Sequence, residues 1–208
     1  MLTVGALLPI MNPFSTAPLF VSLTAGFDDK WRNRQALLAC IYAFAILVTF
    51  LLLGAWIIDF FGISVPGLRV AGGLIIGFIG FRMLFPPPAA PQAAGAEGQP
   101  QARDVAFTPL AMPSLAGPGS ISVVLTAAAQ IRSHYPEDFV LIYAGVIAGM
   151  ALTLLFSLLV LRGAAMMVRF LGQGGIDAMT KIFGFLLIAI GMQFLLTGIS
   201  DFYGIGGA

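Results

Sequence analysis

Cysteine, histidine and charge are scarce in this sequence, and each scarcity removes a class of protein. The one cysteine, Cys40, allows neither an internal disulfide nor a Cys pair for redox work or metal chelation. The one histidine, His134, stands in a loop with Arg132, Glu137 and Asp138, and a lone loop histidine makes no metal site. Charged residues make up 9% of the 208, where a soluble chain carries about 25%. They are also clustered, leaving long uncharged stretches, so a soluble single domain is excluded. A net charge of +1 without a basic run excludes nucleic acid as a partner, because that binding needs clustered phosphate-neutralising Lys and Arg. No G-x-S-x-G, H-E-x-x-H or intramembrane Asp pair is present, and the chain reads as a non-enzyme with no cofactor. A metal exporter would need oxygen-rich or His-rich ligands within its spans, and the spans lack them.

What the chain does have is apolar length. Hydrophobic residues are 59% of it, and a helix needs roughly 20 apolar residues to cross about 30 Å of hydrocarbon. Six such segments can be drawn, near 2–26, 35–61, 65–85, 107–130, 138–161 and 176–200. They are apolar throughout and do not alternate, which suits helices and argues against membrane β-strands. Met1 to Gly26 has no basic n-region and is followed by further spans, so it reads as a retained first helix and not as a secretory signal. The fold expected is an all-α polytopic membrane protein in the lipid bilayer. Lys30, Arg32, Arg34, Arg82, Arg103, Arg162, Arg169 and Lys181 follow odd-numbered spans, whereas Arg69 and Arg132 fall on the other side. By the positive-inside rule the odd loops are then cytoplasmic and both termini face outward.

Residues 86–106 are rich in Pro, Ala, Gln and Gly and read as a flexible cytoplasmic linker. The halves beside it, 1–85 and 107–208, echo each other. Leu8-Pro9, Asn12-Pro13 and Leu23-Thr24 correspond to Met112-Pro113, Gly117-Pro118 and Leu125-Thr126, with one residue of slippage. Gly73, Gly80 and Arg82 align with Gly184, Gly191 and Gln193 at one constant offset. Three spans per half would make the second copy enter the membrane from the opposite side, giving two inverted three-helix repeats.

Proline in a helix interior removes a hydrogen bond and clashes with the preceding turn. Helices 1 and 4, with Pro9, Pro13 and Pro18 and with Pro113 and Pro118, should therefore be discontinuous. Asn12 suits an N-cap and Pro13 a first helical residue; Gly117-Pro118 repeats that signature more weakly. Two helix N-termini then converge, offering first-turn N–H groups on Phe14 and Ser15 and on Gly119 and Ser120, a pattern that suits a carboxylate. The preceding half-helices end at Ile10-Met11 and Leu115-Ala116, whose carbonyls can receive an ammonium group or a cation. No ionisable residue sits in either break, and Asn12, Ser15, Thr16, Ser120 and Ser122 are the expected lining groups. A small zwitterion is the implied ligand. The competing reading is that these residues only kink helices to fit the bundle.

At these residues the sequence resembles the MarC family of bacterial inner-membrane proteins, within the LysE-type transporter superfamily. The likeness is carried by Asn12-Pro13, Pro18-Leu19-Phe20 and Leu23-Thr24, then by Phe61-Gly62-Ile63-Ser64 and Arg69-Val70-Ala71-Gly72-Gly73. Pro113 and Ala116-Gly117-Pro118-Gly119-Ser120-Ile121 complete it. It implies six helices in two inverted repeats, and an inner-membrane transporter of small neutral amino acids such as glycine and alanine, coupled to an ion gradient. The linker is longer and less charged than is usual in that family. H⁺ has no obvious buried carboxylate to carry it, backbone carbonyls would suit Na⁺, and uncoupled transport stays open.

Asp59 and Asp201 are the only acids in or against the spans, and both fall at outward helix ends, where solvated acids are commoner than ion relays. Arg69 and Lys181 occupy nearly equivalent repeat positions and read first as snorkelling anchors, with attraction of carboxylates to the two entrances as the alternative. Thr24 and Thr126 are expected to bond their own backbones. Gly73-x-x-x-Gly77 and Gly145-x-x-x-Gly149 argue for close helix packing, with a homo-oligomer as the weaker alternative. The functional alternatives are efflux of apolar drugs, which needs a large apolar cavity, and a scaffold that transports nothing.

Overall fold

The computed structural model describes residues 2–86, 104–134 and 139–205, which form helices and the turns between them, with no strand among the described residues. Most of the linker lies outside the described residues, as do Arg103, Glu137, Asp138 and the side chains of Arg132 and His134. Helix α1 (Leu2–Met11) and α2 (Pro13–Leu23) meet at Asn12 with a 40° bend. Helix α3 (Asp29–Phe61) ends at Gly62, whose φ of 62° is the left-handed value that favours glycine. Its cap is closed by Ile63 N–H donating to the Ile58 carbonyl at 3.0 Å. Ser64 then caps α4 (Val65–Leu84) by accepting from Gly67 N–H, with Pro66 in the first turn.

A wide-wound segment, Ala106–Leu115, follows, then α5 (Pro118–His134), α6 (Phe139–Arg162) and α7 (Ala164–Tyr203). Ala106–Leu115 is not the regular half-helix its composition suggests. Pro109 and Pro113 push the residues before them, Thr108 (φ −124°, ψ 124°) and Met112 (φ −126°, ψ 122°), into extended geometry. Two extended residues widen the winding, so Leu110 N–H reaches the Val105 carbonyl and Ala116 N–H the Ala111 carbonyl, five residues back in each case. The end of the linker is tied to the bundle by Val105 N–H, which donates to the buried Gln35 Oε1 at 3.0 Å.

Asp29–Gly54, Val65–Leu84, Phe139–Arg162 and Gly174–Tyr203 are each long and apolar enough to cross a membrane, and the bent α1–α2 pair is a fifth if it counts as one span. The apolar stretch of α5, Pro118–Ile131, is too short to cross by itself. Large side chains such as Phe60 (84% exposed), Leu141 (75%) and Phe170 (86%) point outward, as they do when hydrocarbon is the solvent.

The main core gathers Leu7 and Met11 of α1, Phe20 of α2, Leu47 and Leu51 of α3, Leu110 and Leu115 of the wide-wound segment, Val124 of α5, and Met150 and Leu154 of α6. Helix α4 lies along α7 and packs differently, through glycine. A Cβ on Gly73 would stand 2.6 Å from the Gly191 carbonyl, and one on Gly191 2.6 Å from the Gly73 carbonyl. Gly80 and Gly184 oppose each other in the same way at 2.6 and 2.9 Å. In lipid no hydrophobic force draws helices together, so close backbone approach supplies the attraction. Arg69 of α4 forms an ion pair with Asp201 of α7, whereas Asp59 is exposed at the end of α3. Gly191→Val should therefore lower the unfolding temperature in detergent, by an overpacking cost of about 1–3 kcal/mol. Gly145→Ala meets nothing within 4 Å and should not lower it.

Candidate binding site between two helix breaks

Asn12 has to end one helix and begin the next. Its own N–H completes α1 by donating to the Leu8 carbonyl at 3.0 Å, and its left-handed backbone (φ 33°, ψ 72°) then turns the chain out of that helix. Its side chain caps α2, with Oδ1 accepting from Ser15 N–H at 3.3 Å. Asn and Asp are the residue types that both tolerate left-handed backbone and offer a capping oxygen. At 2% exposure a charged Asp would be costly, which leaves Asn. The left-handed conformation differs from the extended one usual for an N-cap, because a single residue joins the two helices.

The Asn12 carbonyl accepts the Ser15 and Thr16 hydroxyls at 3.1 and 3.2 Å. Its Nδ2 is buried with no hydrogen-bond partner. In the second break Ser120 Oγ donates to the Leu115 carbonyl at 3.1 Å, and Ile121 N–H donates to the Gly117 carbonyl at 3.0 Å. The Leu115 carbonyl, expected to face a ligand cation, is thus engaged within the chain, as is Ser15 N–H. Phe14, Gly119 and Ser120 N–H are first-turn donors with no acceptor in a preceding turn of their own helices.

Both breaks open onto one cavity of about 760 Å³. Ile10, Met11, Asn12 and Ser15 line it from the first break, and Gly117, Pro118, Gly119 and Ser120 from the second, with Thr16 beside them. Pro13, Phe14, Leu115 and Ala116 are not among the lining residues: the Phe14 ring stacks on Phe183 of α7, with centroids 5.6 Å apart. Ser122 is also turned away, its Cβ 3.3 Å from where a Cβ on Gly72 would stand. Thr24 and Thr126 donate to the carbonyls of Phe20 and Ser122 on their own helices, as their placement suggested.

The third wall was not anticipated. Leu74, Ile75, Phe78, Ile79, Arg82 and Met83 line it from α4, and Ser114 joins from the wide-wound segment. These α4 positions follow helical spacing on one face, with Gly73 and Gly80 turned toward α7, so the periodicity was present in the sequence. What it lacked was the identity of the neighbour each face meets. The cavity is open along this wall, where Leu74 and Phe78 are exposed, and Arg82 is the one charged residue lining it among the described residues.

Helices long and apolar enough to cross the bilayer, with two helix breaks around a shared cavity, define a polytopic helical integral membrane protein. Residues 1–203 match the family described as MarC family integral membrane protein, and the chain belongs to that family. It is 44% identical over 204 residues to the inner membrane protein MarC of Escherichia coli strain K12, covering 94% of this chain and 91% of that relative. The MarC proteins of Shigella flexneri and Shigella boydii are similar to the same extent. No solved structure matches.

Asn12→Gly keeps access to left-handed backbone and should cost a few tenths of a kcal/mol. Asn12→Val loses the cap and forces a β-branched residue to φ 33°, and should cost about 1–3 kcal/mol. Paired unfolding temperatures in detergent check this ordering.

Proposed function

We propose that the chain is a secondary transporter of the inner membrane that moves small neutral amino acids of the glycine and alanine type by alternating access. The observation that carries this reading is the meeting of both helix breaks on one cavity, where Asn12 Nδ2 and the first-turn amides of Gly119 and Ser120 in α5 supply donors for a carboxylate. Ile10 and Met11, at the end of α1, supply carbonyls for the ammonium group. Relatives named as inner membrane proteins support the compartment.

Two inverted repeats are part of the same proposal. Gly73 and Gly80 correspond to Gly184 and Gly191, and each touches the other's counterpart, the crossed pattern that a two-fold axis between the halves requires. The wide-wound segment with α5 then makes the sixth span, in place of an α-helical half. Odd loops, including the 86–106 linker, face the cytoplasm in this reading. Rocking of one repeat against the other exposes the cavity to each side in turn. No Asp or Glu lines the cavity among the described residues, so a coupling proton would have to be carried elsewhere, and carbonyls at the breaks are the groups suited to Na⁺.

One observation favours a second reading. The α4 wall is apolar, open on the lipid side and encloses more room than glycine fills, which suits an apolar solute entering from the bilayer. Counterflow of radiolabelled glycine and alanine in proteoliposomes separates the readings. Parent protein should exchange both, and Asn12→Leu and Gly117→Leu should abolish exchange while remaining folded. Folded parent without exchange of either amino acid sinks the amino acid reading; competition by an apolar dye in its place would favour efflux, and neither result a scaffold.

A further inference from the structure

Arg82 belongs to two cavities. It closes one rim of the break cavity, and with Met83, Pro86, Asp177, Thr180 and Lys181 it also lines a second space of about 350 Å³. Arg82 and Met83 are common to both, so the spaces meet at the last turn of α4. Around this mouth stand charges of both signs: Arg82 from α4, and Asp177 and Lys181 four residues apart on one face of α7. Ion pairs among the described residues join Arg32 to Asp29 and Arg69 to Asp201, and neither includes a residue of the mouth.

A last-turn arginine serves by default as a helix-dipole partner or an interface anchor. Its orientation here goes beyond that. The guanidinium carbon lies 6.0 Å from the ring centroid of Phe78, one turn back along α4 and itself on the break cavity. The cationic head thus stands where the two neighbouring spaces adjoin.

The geometry points to a second, vestibular binding site for a zwitterion at this mouth, with Arg82 and Lys181 receiving the carboxylate and Asp177 the ammonium before the ligand moves on to the break. The inference rests on the transporter reading above and deepens it. A zwitterion finds a partner for each end. An amino acid with an additional ammonium group meets two cations and a single acid here, so the vestibule disfavours basic substrates before they reach the polar break. Arg82, shared by both spaces, is the residue that would pass the carboxylate toward Asn12 Nδ2.

The test is the concentration dependence of radiolabelled alanine counterflow in proteoliposomes, for the parent, Arg82→Gln, Arg82→Lys, Lys181→Gln and Asp177→Asn. Lys30→Gln, at an exposed cation in the first turn of α3, controls for surface charge in general. Loss of one charge-assisted contact should raise KM roughly three- to tenfold with Vmax nearly unchanged for the Gln and Asn variants. Arg82→Lys should restore most of the affinity, and Lys30→Gln should behave as the parent. An unchanged KM in the Arg82 and Lys181 variants of a transporting parent overturns the vestibule and leaves the transporter reading standing. So does a fall in Vmax alone with no rescue by Arg82→Lys. Folded parent that exchanges neither alanine nor glycine overturns both. Should Arg82→Gln fail to fold, the two exposed α7 positions decide the matter by the same KM criterion.

Discussion

Every peptide group that enters hydrocarbon must find its hydrogen-bond partner within the protein, because no water is there to supply one. Unbroken helices meet that demand, and α3, α4 and α6 follow it along their lengths. The interruptions at Asn12 and at Ala116-Gly117 do not. They are tolerated because side chains close part of the deficit: Asn12 caps α2, and the Ser15, Thr16 and Ser120 hydroxyls satisfy carbonyls at the two ends. Ile10 and Met11 of the first break and Gly117, Gly119 and Ser120 of the second line the cavity between them. The polar groups at the breaks thus come from main chain and neutral side chains, where charged side chains would carry a far greater desolvation cost.

Helix α4 connects that site to the rest of the molecule by having two unlike faces. One is stripped to glycine, so backbone meets backbone on α7; the other carries Leu74, Ile75, Phe78 and Ile79 into the cavity. Dispersion at close range holds the first face, with the Arg69–Asp201 pair closing one end. Gly119 marks the point where three elements converge: a Cβ there would meet Ile10 of α1 at 3.0 Å and Ile79 of α4 at 3.1 Å. Bulk at this position would separate the breaks from their wall.

Local chemistry was legible in the sequence, and neighbour relations mostly were not. Asn12-Pro13 announced a helix restart because the residue types needed for a cap and a first turn are few, and Gly73-x-x-x-Gly77 announced the close packing seen against α7, whereas a Cβ on Gly145 of the second such pair would meet nothing within 4 Å. Pro109 also carries a signal, since the residue before a proline is driven out of helical geometry, and with Pro113 it accounts for the wide winding of Ala106–Leu115. Arg82 and the Arg69–Asp201 pair could not be placed in the same way. Helices apolar on all sides carry almost no directional pattern, so the sequence alone does not say which face of α4 meets the breaks and which meets α7.

The single-residue join between α1 and α2 has a mechanical consequence. Pro13 holds its φ near about −65°, so it contributes little rotation. Any change in the 40° angle between the two helices must then be absorbed chiefly by the two torsions of Asn12. The joint has almost no spare degrees of freedom, and its pivot is a residue that lines the cavity. The placement of the Asn12 side chain and the angle of the joint are therefore set by the same pair of bond rotations.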